Sequence, residues 1–268
     1  EPWPRLSLVR RVLEDDAVYV GPYTSRRTAE RAMAALHEAF PLRQCSGRLP
    51  RKPSRSPCVL AEMGRCLSPC DGSATVEAYD AVVMSVRQAL IANPVEVVGA
   101  VTRKMATLSA QHRFEDAGVH RDRLSAFLRG SARTQRLSAL TRCPEVVAAS
   151  RLDNGRWEMH VIRYGRLAAA GVLRPGESGR AFAASLVASA ETVIAGPGPT
   201  PAASAAETEC VLRWLESPGI RLFDIDGIWT CPLGGAGGQL ATMSAADTSR
   251  ESVVPFDERG VLSTVHQP

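Results

Sequence analysis

No apolar run in the chain approaches the roughly 18 residues that a membrane-spanning helix requires, so a helical membrane protein is excluded. The N-terminal stretch EPWPRLSLVRRVLEDD has neither an initiator Met nor a continuous apolar segment, which excludes a secretory signal peptide. It has the look of a cut edge, and the expectation is that a segment precedes Glu1 in a longer parent protein. No internal repeat is present. Gly234-Gly235-Ala236-Gly237-Gly238 is followed by no Lys-Ser/Thr pair and is therefore not a phosphate loop, and no small-molecule substrate is expected. Aromatic residues make up only 5%, and the four tryptophans, Trp3, Trp157, Trp214 and Trp229, are scattered as core residues would be. What is present is globular: 45% hydrophobic and 22% charged residues over 268 positions, enough for two or three small domains in a soluble, cytoplasmic chain. The net charge of +4 is uneven. Between residues 43 and 65, Arg43, Arg48, Arg51, Lys52, Arg55 and Arg65 face Glu62 alone.

Periodicity divides the chain into a helical and a β-rich part, hence an α+β fold class. RLSLVRRV (5–12) and AVYV (17–20) read as short strands around an acidic turn. Thr24 or Ser25 caps a helix with Ala29, Ala32, Met33, Leu36 and Phe40 at helical spacing, and Pro41 stops it. Residues 41–57 have loop composition, with four prolines. Thr75 caps a helix to about Ala92, and Asn93-Pro94 starts another over 95–110. A break at 111–113 leads to FEDAGVHRDRLSAFLRG, where Gly130 is expected to end the helix. So short a connection predicts an antiparallel hairpin. Beyond Cys143-Pro144, EVVAASRL, RWEMHVIRY and RLAAAGVL alternate as a three-stranded meander. A helix at 180–193, a second containing Val211, Leu212 and Leu215, and a last strand in IRLFDIDGIWTC follow, with a loose tail from residue 234.

The cysteines form one group and three singletons. Cys45, Cys58, Cys66 and Cys70 have the spacing C-x12-C-x7-C-x3-C, whereas Cys143, Cys210 and Cys231 stand apart. Disulfides need an oxidising compartment that nothing here indicates, and a Pro/Arg/Ser-rich loop offers little core to bury four thiols. Thiolates are soft donors, and four of them can satisfy a tetrahedral zinc or the corners of an iron-sulfur cluster. Only Cys66 and Cys70 have knuckle spacing, and the wide intervals suit a larger object, but spacing alone leaves both open. The surrounding arginines would offset the residual negative charge of such a site, or bind phosphates nonspecifically. His112 and His120, without a Cys or acid at ligand spacing, are expected to be solvated. Asp224 and Asp226 share a strand face but have no third acid, so surface turn chemistry explains them.

YVGPYTSRRTAERAMAALHEAFPLRQC, SRSPCVLAEMGRCLSPCDG and FEDAGVHRDRL resemble, in that order, the middle of the UvrC family, the nuclease subunit of bacterial nucleotide excision repair. The resemblance covers residues 17 to about 130. It implies a 4Fe-4S cluster on Cys45, Cys58, Cys66 and Cys70, with zinc as the alternative, and DNA as a partner. It also implies a UVR-type hairpin that pairs with a UvrB-like protein, with Phe114, Ala117 and Leu124 in the seam and Glu115, Arg121 and Asp122 as polar pairs. Gly118 and His120 depart from that family's pattern, and a hairpin packed on its own domains is the alternative. The implied division is 1–42, the end of a GIY-YIG nuclease domain; 43–93, a cluster-binding region; 94–131, the hairpin; 145–233, a small α+β domain; and 234–268, the tail. The GIY-YIG active site would lie upstream and no RNase H-like carboxylate set is visible, so no catalytic residue is expected in this chain. It resembles the C-terminal part of a fusion between a DEDD exonuclease and a GIY-YIG protein.

Overall fold

The computed structural model describes residues 2–49 and 56–251, the side chains of 244–251 excepted. Helix α1 (Arg26–Ala39) starts where Ser25 Oγ accepts the Thr28 N–H at 3.1 Å and ends at Phe40, before the proline that cannot continue it. A single turn, α2 (Val59–Glu62), sits inside the cysteine loop. Thr75 caps α3 (Val76–Ile91), whose end leads through Asn93 into α4 (Val95–Ala110); the Asn93 carboxamide oxygen accepts the Val95 N–H at 3.0 Å. His112, in the left-handed region at φ 58°, turns the chain back into α5 (Phe114–Thr141), and α4 and α5 pack as the expected hairpin.

Helix α5 departs from expectation by its length of 28 residues. Gly130 does not end it. The residue lies inside the helix, where its missing side chain admits the Tyr23 ring: a Cβ there would collide with Tyr23 Cε1, Cζ and the hydroxyl. One turn on, Thr134 Oγ1 accepts the Gly21 N–H at 2.9 Å, so the Gly21-Pro22-Tyr23 turn is seated on the middle of α5. The sequence offered a helix-ending residue; the packing of a distant turn required a small one.

Strands β1 (Glu145–Arg151), β2 (Trp157–Arg163) and β3 (Arg166–Val172) form the expected meander, and β4 (Arg221–Asp226) adds antiparallel to β1, giving the order β3-β2-β1-β4. Between β3 and β4 lie α6 (Gly179–Ser189), which ends four residues earlier than expected, and α7 (Ala205–Leu215). Val147 and Ala149 of β1 face α6, while Val146 and Ala148 face α7 and the end of α5. The central strand is thus covered on both faces.

Two further expectations are corrected. Residues 5–12 and 17–20 form no strands; they run over the surface without a ladder partner. The loose tail begins as a helix, α8 (Ala236–Glu251), anchored where the Ala236 N–H donates to Gln135 Oε1 at 2.9 Å and Leu240 and Met243 pack on the helical core. Residues 252–268 lie outside the described residues. Trp3, Leu36, Phe40, Tyr79, Leu90 and Phe127 share that core, so the segments 1–42, 43–93 and 94–131 are one packed body. Burying Phe127 completely contributes on the order of 1.5–3 kcal/mol. No single described helix is long and apolar enough to cross a membrane.

Replacing Gly130 with valine should destabilise the protein by about 1–3 kcal/mol despite better helix propensity, because the Tyr23 ring must leave its seat on α5. Chemical denaturation of Gly130→Val and Gly118→Val checks this: Gly118 has open space, so only the first should lose midpoint strongly.

Candidate functional site

The four grouped cysteines come from separate segments that the fold brings to one place. Cys45 follows the end of α1, Cys58 is the residue before α2, and Cys66 and Cys70 follow that turn. The Leu67 N–H donates to Pro41 O at 3.0 Å, which ties the two ends of the loop together. All four cysteines line one cavity of about 340 Å³, with Arg43, Val59, Leu60 and Pro69. Among the described residues, no three His, Cys, Asp or Glu side chains are grouped so as to hold one metal ion. A tetrahedral zinc at about 2.3 Å from each sulfur would need sulfurs about 3.8 Å apart. The four thiols line one cavity without being gathered tightly enough to grip a single ion.

Polar groups of Ser68 lie against two of the thiols. Ser68, buried and in the left-handed region at φ 55°, directs its N–H at Cys66 Sγ (3.4 Å) and its hydroxyl toward Cys70 Sγ (3.7 Å). Burial pushes the Cys66 thiol up from its ordinary range, the Ser68 N–H opposes this, and the other three cysteines add to it electrostatically. Hydrogen bonds of this type stabilise sulfur that carries negative charge.

Arg43 is corrected from a nucleic-acid contact to an internal strut. It is 1% exposed; its Nε donates to Trp3 O at 2.6 Å, and its Nη1 donates to Cys45 O at 3.0 Å and Gly47 O at 2.7 Å, lying 3.7 Å from Cys45 Sγ. A buried guanidinium needs partners for its donors, and the carbonyls of Trp3, Cys45 and Gly47 take three of them. Tyr79 supports the same corner: its hydroxyl accepts the Arg43 N–H at 3.1 Å and donates to Pro4 O at 2.8 Å, and burial pushes its pKa up to about 12. Neither Ser68 nor Tyr79 carries a sequence signal, since a serine in a loop and a tyrosine on a helix face are common. Of the remaining basic residues, Arg48 is exposed and Arg65 pairs with Glu38 at 3.3 Å. Arg51, Lys52 and Arg55 lie outside the described residues.

The hairpin residues separate into two sets. Ala117 and Leu124 are buried inside the chain, Leu124 within the core that α1 shares. Phe114, expected in the same seam, is 64% exposed, and Glu115 is exposed beside it. Arg121 and Asp122 lie 3.7 Å apart, with Arg31 of α1 3.9 Å from Asp122. His120 is not solvated: it is 9% exposed and burial lowers its pKa. His37 on α1 is lowered to about 4 by burial and by the Arg65 charge. Asp224 and Asp226 lie on the exposed β4, the Asp224 carboxylate accepting the next N–H at 2.9 Å.

A loop that gathers four thiols onto a helical body, followed by a helical hairpin and a small sheet, defines a cysteine-centred module. Residues 1–89 match the family described as UvrC/Cho excinuclease, middle domain. A Mycobacterium tuberculosis (strain CDC 1551 / Oshkosh) protein, described as a putative bifunctional exonuclease/endonuclease, is 30% identical over 84% of this chain and 35% of its own length. The UvrABC system protein C of Nitratidesulfovibrio vulgaris is 36% identical over 58% of this chain and 22% of its own, and that of Thermus thermophilus is 40% identical over 47% and 21%. The chain belongs to the UvrC-like family. It spans about a fifth to a third of the length of these curated relatives. No solved structure matches it significantly.

The low His37 pKa sets an acid limit. Below about pH 6.5 the unfolded chain takes up a proton that the folded one refuses until about pH 4, so stability falls as pH drops through that window. Melting temperatures measured from pH 7 to 4.5 should fall more steeply for the wild type than for His37→Gln; parallel curves would show that the group is not linked to folding.

Proposed function

We propose that this chain is a non-catalytic part of a UvrC-like DNA-repair nuclease, acting in nucleotide excision repair, in which Cys45, Cys58, Cys66 and Cys70 hold a 4Fe-4S cluster. The observation that carries the reading is the convergence of four thiols, from three segments, on one cavity of about 340 Å³. The wide sequence intervals between the first three cysteines suit a four-iron cluster better than zinc. When bound, such a cluster cross-links the loop to the ends of α1 and α2 and so contributes folding free energy, as structural metal centres do. The residues of this chain do the remainder. Ser68 and Arg43 donate toward the sulfurs, and Tyr79 holds Arg43 in place. DNA is the partner that the family suggests, and Arg48 stands exposed at the rim of the loop.

Docking of a UvrB-type protein is proposed for the tip of the hairpin. The inner seam is already covered by α1, so the apolar surface that remains for a partner is Phe114 and Val119, 64% and 49% exposed, next to Glu115. A second reading, a metal-stabilised scaffold between an upstream nuclease and the sheet domain, is favoured by the burial of Arg43 and Leu124.

Protein purified without oxygen should be brown and contain about four irons and four sulfides per chain. Cys66→Ser should lose most of both. Colourless protein with one equivalent of zinc would replace the cluster with the zinc alternative, and protein with neither would remove the centre. Co-elution with UvrB should weaken in Phe114→Ala without a change in melting temperature; unchanged co-elution would place docking elsewhere.

A further inference from the structure

A second basic surface lies away from the cysteine loop. The Pro22-Tyr23-Thr24 turn, α1, the middle of α5 and α8 enclose a cleft of about 640 Å³, which Arg31, Arg121, Arg129 and Arg133 line. The four arginines meet there from two helices, Arg31 from α1 and the other three from α5. Arg133 is committed to the fold: it pairs with Glu209 of α7 at 2.5 and 3.0 Å and donates to Pro22 O. The other three are not. Arg129 is exposed and makes no ion pair or hydrogen bond among the described residues. Arg31 and Arg121 approach only Asp122, at 3.9 and 3.7 Å, beyond hydrogen-bonding distance. Two guanidiniums therefore share a single carboxylate in a concave site, and the third has none among the described residues.

Hydroxyl donors stand among them. Thr24 and Thr28 line the cleft with their hydroxyls 3.4 Å apart, and the Tyr23 hydroxyl is left without a partner among the described residues. Burial pushes the Tyr23 pKa up to about 12, so it remains a donor at neutral pH. Planar guanidinium forks alongside hydroxyls match the oxygens of a phosphodiester, which accept from several directions. Clefts lined by one sign of charge also concentrate field and attract polyanions.

We infer that this cleft between α1, α5 and α8 is a binding site for the phosphate backbone of DNA, separate from the basic residues of the cysteine loop. The inference rests on the DNA-repair reading and gives it a location. Arg31, Arg121 and Arg129 take the phosphates, and Thr24, Thr28 and Tyr23 supply the neutral donors. Asp122 draws Arg31 and Arg121 toward one another and offsets part of their charge. A phosphate contact made this way positions the nucleic acid without reading its sequence.

The test is binding of a short fluorescent duplex DNA across a series of salt concentrations, using the whole chain and the variants Arg31→Glu, Arg129→Glu and Arg180→Glu. Arg180 on α6 is exposed and serves as the matched control. Each cleft substitution should weaken binding about tenfold at low salt and reduce the slope of log K against log salt by about one, with Arg180→Glu close to wild type. Circular dichroism verifies that the variants are folded. Salt-dependent binding by the wild type with Arg31→Glu and Arg129→Glu indistinguishable from the control would overturn the cleft and leave the DNA reading standing. Absence of salt-dependent binding by the wild type would overturn both. Binding of poly-glutamate in place of DNA, abolished by Arg129→Glu, would make the cleft a site for an acidic protein segment and overturn the inference as well.

Discussion

The continuity of α5 through Gly130 is the constraint on which the rest of the molecule depends. Its first half supplies Leu124, Phe127 and Leu128 to the helical core, and its second half supplies Leu137 and Leu140 to the core under the sheet. A helix is stiff over such a length because every interior peptide group is bonded to the next turn. The two cores are therefore held by one rod. The Tyr23 ring on Gly130, the Thr134 bonds to Gly21 and Gly130, and the Arg133 bridge from Pro22 to Glu209 all cluster near its middle. An ordinary side chain at Gly130 would push the turn away, and α1 with it.

Because α1 is held against α5, its C-terminal end has a defined place, and the cysteine loop starts from that end. Arg43 and Tyr79 then pin the first turn of the loop to Trp3 and Pro4, while Leu67 returns to Pro41. These bonds involve buried donors and acceptors, whose loss costs more than their formation contributes. The loop has a protein-made frame around the space that the four thiols enclose. Arg65 links that frame to Glu38 on α1 and lies close enough to lower the His37 pKa, so the loop and the helical body are electrostatically coupled.

The same packing decides which side chains reach the surface. The inner hairpin seam is used inside the chain, leaving an apolar tip. Arg43, read in the sequence as surface charge, neutralises a backbone corner. Arg31 and Arg121, from two helices, are drawn together by Asp122. Charge that looked like a property of one loop is thus redistributed: part is consumed by the fold, and another concentration appears where no run in the sequence announces it.

Local signals were read directly where local physics decides. Ser25 and Thr75 cap the helices they precede, the three alternating segments pair as a meander, and the cysteine loop carries its own family motif. The sequence by itself determined the positions of these elements, since a cap, an alternation or a thiol spacing acts over a few residues. It did not determine that α5 runs on, that residues 5–12 lack a ladder partner, that His120 is buried, or which arginines face one another. Those outcomes belong to tertiary structure because each depends on atoms far away along the chain, as between Tyr23 and Gly130, and no short-range pattern records which surfaces will meet.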